Sequence, residues 1–217
     1  MLTASPLRLG RNRVGLRERY SKEERNMRVA VLVSGVGSTL EYFLKQPASE
    51  RNFEIVLVIA DRMCPALEIA RKHGITCAVI TSSNQDALTK EILDELKRSG
   101  IELVVMAGFM RMLGPAIFEM YTGRILGSHP SLLPLFPGKN AIEQTLSAKP
   151  LPKVSWCTIF LVNEGMDTGI ILAQESVPVY PFDTVGTLRE RIQAIEKPLY
   201  LHVIKTTVAW YQEQGRG

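Results

Sequence analysis

Several short stretches of this chain carry side chains able to do chemistry together. Leu126-Gly127-Ser128-His129-Pro130-Ser131-Leu132-Leu133-Pro134 continues through Leu135-Phe136-Pro137-Gly138 and follows the apolar run from Gly123 to Leu126. It reads as a strand that ends abruptly and delivers a histidine into a proline-stiffened loop. Pro130 lacks an N–H and biases His129 toward extended backbone, at the strand's mouth rather than in a helix. Imidazole titrates near neutrality and can hold or give a proton. Asp167, in Asn163-Glu164-Gly165-Met166-Asp167-Thr168-Gly169, is by default a turn residue. A catalytic role for it requires that it fold back onto His129, which spacing does not show. Ser34-Gly35-Val36-Gly37-Ser38-Thr39 is a glycine turn opening a helix, where unpaired N–H groups suit a phosphate. Ala107-Gly108-Phe109-Met110-Arg111-Met112-Leu113 is either an apolar loop over the core or the wall of a pocket for a flat aromatic ligand. Gln193 and Glu196 lie on a late helix, where surface exposure is the default.

Alternating strands and helices must position these groups. Strands are expected over 28–33, 54–59, 76–80 and 103–106, then in the His129 stretch, with a late pair over 156–162 and 170–179. Helices are expected over 38–45, 65–73, 84–99, 115–121 and 141–147, the last capped by Asn140. A long helix over 184–211 should be interrupted at Pro198. The fold class is therefore α/β: an open, mostly parallel twisted sheet with helices on both faces and a late antiparallel strand pair. In such sheets ligands bind beyond the carboxyl ends of the strands, where the glycine turn, the Phe109 loop and His129 fall.

With 217 residues, 46% of them hydrophobic, the chain suits one α/β core. Up to Asn26 there are seven basic residues against three acidic ones. The chain's excess of 26 basic over 22 acidic residues therefore lies there, and the remainder is neutral. Residues 1–26 read as a basic, flexible extension and 27–217 as a single domain. The extension lacks the apolar centre of a secretory signal, and its acids weaken a transit-peptide reading. No membrane-length apolar run occurs, so neither a membrane nor a nucleic-acid partner is expected. Cys64, Cys77 and Cys157 form no C-x-x-C pair, which fits a reducing, cytoplasmic setting and argues against a metal site. The glycine turn fails as a dinucleotide fingerprint because Leu40 stands at the third glycine position, although Asp61 lies where a ribose-binding acid would.

Together these stretches, with Asp167-Thr168-Gly169-Ile170-Ile171-Leu172-Ala173-Gln174 running on to Val179 and Asp183-Thr184, resemble the glycinamide ribonucleotide formyltransferases from about Met27 to Val208. The resemblance implies a Rossmann-like formyltransferase fold. It also implies formyl transfer from 10-formyltetrahydrofolate, a co-substrate, to glycinamide ribonucleotide or a related small amine, in purine biosynthesis. It implies small-molecule substrates and no metal, with a homodimer left open. His129 and Asp167 would be catalytic. Gly37, Ser38 and Thr39 would bind the ribonucleotide phosphate, with Gln193 and Glu196 at its amine end. Phe109, Met110, Arg111, Met112 and Leu113 would wall the folate.

The chain also departs from the family pattern. Gly127 stands where the family has a catalytic asparagine, Thr39 replaces an asparagine, Trp156 a small residue and Phe160 a histidine. Losing an oxyanion donor costs about 2.7–4 kcal/mol, and a water could take its place. Thr39 could cap its helix. The alternative reading is a divergent paralogue that binds a folate or phosphorylated ligand with little or no turnover. A formyltetrahydrofolate hydrolase is a further option.

Overall fold

In a computed structural model, residues 26–215 are described, and the extension assigned to 1–26 lies outside them save for its last residue. Seven strands form one sheet: β1 (Met27–Val33), β2 (Phe53–Ala60), β3 (Thr76–Val79), β4 (Leu103–Met106), β5 (Ile125–His129), β6 (Val154–Leu161) and β7 (Ile171–Pro178). Their order is β3-β2-β1-β4-β5-β6-β7. The first five pair in parallel, and β6 and β7 add antiparallel. The helices are α1 (Ser38–Lys45), α2 (Pro65–Lys72), α3 (Gln85–Arg98), α4 (Pro115–Met120), α5 (Ala141–Ser147) and α6 (Val185–Gln214).

Alternation along the strands divides the core into two layers. Val29, Val31 and Val33 of β1 pack with Leu40, Phe43, Tyr200 and Ile204 on the α1, α2 and α6 side. Ala30 and Leu32 pack with Leu88, Ile92 and Leu96 on the α3 side. Both faces of these parallel strands are therefore covered, which explains their continuous apolar runs.

Three local expectations are corrected. His129 is the last residue of β5, not the first of a loop, because antiparallel pairing with β6 extends the strand to the His129–Thr158 register. Helix α6 runs through Pro198 without a break. Proline's fixed φ is helical, and the buried Tyr200, Val203, Ile204 and Val208 beyond it hold the following turns against the sheet. Asn140 sits at the N-cap of α5 with φ 62° and makes no side-chain cap. The sheet order reverses direction between β1 and β4, so the glycine turn after β1 and the Phe109 loop after β4 flank the crevice at this switch point.

Candidate active site

Strand β5 carries the centre of the site. Asp167, in left-handed backbone at φ 55°, turns its carboxylate back so that Oδ2 lies 3.4 Å from His129 Nδ1. The same oxygen accepts from the Gly138 N–H at 2.7 Å, so Asp167 ties the 163–169 loop to the proline loop as well as to the ring. On its other side His129 Nε2 donates to Phe136 O at 2.9 Å, since a carbonyl can only accept. The ring is buried and each nitrogen faces an oxygen.

The proline loop is held from below by two residues given no role from sequence. Thr158 Oγ1 donates to Ser131 O at 2.6 Å and accepts from Gln174 Nε2 at 2.9 Å. Gln174 Nε2 also donates to Leu133 O at 3.1 Å. Ser131 Oγ donates to Leu135 O at 2.6 Å and lies 3.3 Å from Phe136 O. Strand alternation was the available signal: Trp156, Thr158 and Phe160 share one face of β6.

Gly127, two residues before His129, pairs with Phe160 across the β5–β6 ladder. A Cβ there would lie 2.8 Å from Val162 Cγ2 and 3.3 Å from Phe160 Cζ. The space expected to admit a water is instead lined by apolar atoms, because the buried Phe160 ring lies against the glycine.

On the opposite face of β5, Ser128 Oγ donates to Glu196 Oε1 at 3.2 Å, and Thr39 Oγ1 reaches the same oxygen at 3.5 Å. Thr39 therefore does not cap α1: the N-cap is Gly37, with φ 81°, and no side chain caps the helix. A Cβ on Gly37 would lie 2.6 Å from that of Ala66, so packing against α2 as well as backbone conformation requires glycine. Gln193 precedes Glu196 by one helical turn on α6. Burial pushes the Glu196 carboxyl above its usual range, against the lowering effect of the Ser128 and Thr39 hydroxyls. Burial and the Glu196 charge also push up the Cys157 thiol and the Tyr200 phenol, whose OH reaches Leu126 O at 2.8 Å.

Of the Phe109 loop, Phe109 and Leu113 are buried in the core, whereas Met110 and Met112 are exposed and Arg111 is intermediate. The loop thus offers two thioether side chains outward over an apolar base. Among the described residues, no three His, Cys, Asp or Glu side chains group so as to hold a metal. None of the described helices is long and apolar enough to cross a membrane.

Comparison with known proteins gives these groups a context. The formyl transferase family matches residues 27–204. The chain is 38% identical over 180 residues to the phosphoribosylglycinamide formyltransferase of Mycobacterium tuberculosis, covering 82% of this chain and 83% of that protein. It is 37% identical over 211 residues to the trifunctional purine biosynthetic protein adenosine-3 of Bos taurus. That alignment covers 93% of this chain but only 20% of the bovine protein. Among solved structures, the phosphoribosylglycinamide formyltransferase of Bacillus halodurans superposes with a TM-score of 0.79 at 39% identity, over 83% of this chain and 95% of that one. Glycinamide ribonucleotide transformylase 1 of Symbiobacterium toebii gives 0.81 at 34% identity, over 85% and 88% respectively.

Proposed function

The chain belongs to the formyl transferase family, and we propose that it moves a formyl group from 10-formyltetrahydrofolate to the amine of glycinamide ribonucleotide, a step of purine biosynthesis. The carrying observation is the approach of Asp167 to His129 at 3.4 Å in a chain that matches this family from 27 to 204. The folate supplies an activated formyl carbon. The amine nitrogen bonds to that carbon, the bond from the carbon to the folate nitrogen breaks, and one proton passes from the amine to the departing nitrogen.

His129 donates from Nε2 to the formyl oxygen as charge develops there. This requires Nε2 to exchange its bond to Phe136 O, a carbonyl toward which the Ser131 hydroxyl, 3.3 Å away, can turn from Leu135 O. Asp167 orients the ring through Nδ1 and balances the charge the ring acquires. The uncapped N-terminus of α1, with Gly37, Ser38 and Thr39, takes the phosphate. Glu196 bonds both Thr39 and Ser128, so it lies between that turn and the His129 strand and, with Gln193, holds the ribonucleotide between its phosphate and its amine. An acid reluctant to ionise suits a place beside a phosphate. Met110 and Met112, with Arg111, cover the folate ring over the base formed by Phe109 and Leu113. All these groups come from one chain, so the site does not require a homodimer. A cytoplasmic location is part of the proposal, supported by the three unpaired thiols.

The test is to incubate purified protein with 10-formyltetrahydrofolate, with and without glycinamide ribonucleotide, and follow products by mass spectrometry. Formylated ribonucleotide is the expected outcome. Formate released without amine would identify a hydrolase, and folate binding without product would identify the divergent paralogue.

A further inference from the structure

Strand register places His129, Thr158 and Gln174 in one row across three adjacent strands. His129 of β5 stands opposite Thr158 of β6, and Thr158 stands opposite Gln174 of β7. Residues directly opposite one another share a face of the sheet, so the ring and the two polar side chains rise from the same side. The proline loop leaves β5 immediately after His129 and arches over this row. Thr158 Oγ1 donates to Ser131 O at 2.6 Å, and Gln174 Nε2 donates to Leu133 O at 3.1 Å and to Thr158 Oγ1 at 2.9 Å. Leu133 O can only accept, so the nitrogen end of the Gln174 amide must face it. The loop then turns back, with Leu135 N donating to Leu132 O at 2.7 Å, and brings Phe136 O to 2.9 Å from His129 Nε2.

Phe136 is in left-handed backbone at φ 54°, a conformation that persists in a bulky residue only where its surroundings hold it. Its carbonyl is therefore aimed by the loop's ties and not by local preference. Those ties come from two directions. Beyond Phe136, Gly138 N donates to Asp167 Oδ2 at 2.7 Å and Gln144 Nε2 donates to Pro137 O at 3.3 Å. Before it, Thr158 and Gln174 tie the loop to the sheet, and Gln174 bonds both the loop and the hydroxyl that supports it. We infer that Gln174 is a positioning residue, which braces the proline loop so that Phe136 O fixes where His129 Nε2 points before that nitrogen turns to the formyl oxygen. This role rests on the function proposed above. Gln174 bonds the loop and not the ring. With Asp167 at Nδ1 and the braced carbonyl at Nε2, the imidazole keeps one orientation, and a misplacement of about 1 Å can cost as much as about 10²-fold in rate.

The test compares single-turnover formyl transfer at saturating 10-formyltetrahydrofolate and glycinamide ribonucleotide with the binding of each. Gln174→Met, similar in length but without a donor, should slow transfer about tenfold, as for the loss of one hydrogen bond, and leave both affinities within about twofold. Thr158→Val should slow it at least as far, and Thr158→Ser, which keeps the hydroxyl, should recover to within about threefold of the parent. The double variant Gln174→Met with Thr158→Val should fall little below Thr158→Val alone, because the two side chains form one support. Nuclear magnetic resonance reads the ring directly. His73 and His202 are exposed whereas His129 is buried, so a slowly exchanging imidazole proton identifies His129 Nε2, and Gln174→Met should speed its exchange about tenfold. Circular dichroism accompanies each variant, and should Gln174→Met not fold, Gln174→Glu, of equal length and without a donor when ionised, carries the same expectation. Parent-like transfer in Gln174→Met, or weaker binding with transfer unchanged, would overturn the inference. So would a Thr158→Ser protein no faster than Thr158→Val, or a faster Gln174→Met protein, in which Phe136 O merely competes with the formyl oxygen. A parent protein without formyl transfer would instead defeat the functional proposal, and the proton-exchange comparison alone would then decide the positioning.

Discussion

Two neighbouring residues of β5 send their side chains to opposite faces of the sheet and meet two different carboxylates. Ser128 reaches Glu196 on α6, and His129 reaches Asp167 on a loop. Glu196 is on a long helix packed against the sheet, its oxygen faces hydroxyls, and burial raises its proton affinity. Asp167 sits in left-handed backbone among glycines, and its oxygen joins a ring nitrogen to a backbone N–H of a second loop. The difference is one of support. A carboxylate on a packed helix is fixed by the core and suits holding a ligand. One on a loop is fixed mainly by the groups it pairs with, and it suits a proton that must move.

The contrast breaks most severely at His129. His129→Ala should lower turnover about 10³-fold, and Asp167→Asn about 10²-fold, within the range for a positioned acid or base. Folate affinity should change by less than about twofold in each. If the pair acts as a unit, the double variant falls little further than His129→Ala alone. Single-turnover formylation measures this, and additive losses would separate Asp167 from the histidine.

The sequence made one side of this contrast far more visible than the other. Proline after His129 and glycines around Asp167 marked both as loop-mouth residues, and the apolar runs marked the strands feeding them. Their meeting was not visible, because it depends on the antiparallel addition of β6 and β7, which brings the 163–169 loop back over β5. Glu196 looked like a surface residue because exposure is the default for a carboxylate on a helix. Only packing of that helix over Ser128 and Thr39 reveals its inward end. Pro198 implied a break that the buried Tyr200 and Val203 prevent, an instance of tertiary packing overriding a local signal. Gly127 was legible as an absent donor, but Phe160 could not be seen as its neighbour without the strand register.

That register sharpens the second prediction. Gly127→Asn, intended to restore a donor, places its Cβ 2.8 Å from Val162 Cγ2 and its amide against the Phe160 ring. It should lower stability by about 1–3 kcal/mol, the usual cost of overpacking, without raising turnover. Phe160→Ala in the same chain should recover part of that loss, so the double variant is less destabilised than the sum of the two single variants. Denaturant unfolding of the four proteins tests it. A stable, faster Gly127→Asn protein would mean that the Phe160 ring swings away readily and that the donor alone was missing.

The smallest expected effect lies at Glu196, and its sign distinguishes the two carboxylates. Because the folded state raises the Glu196 carboxyl above its ordinary value of 4.5, the folded protein holds that proton more tightly than the unfolded chain does. The stability so gained is fully present below about pH 4.5 and is lost as pH rises through the raised value. Glu196→Gln mimics the protonated form, so its stability should not fall across that window. Relative to the parent it should gain as pH climbs, by less than about 1 kcal/mol because the Ser128 and Thr39 hydroxyls already repay part of the desolvation. The same variant should raise the ribonucleotide KM about tenfold, the loss of roughly one hydrogen bond to a charged group, with kcat nearly unchanged. A carboxylate used for proton transfer would lose kcat instead, so the split between KM and kcat separates a holding role from a transferring one.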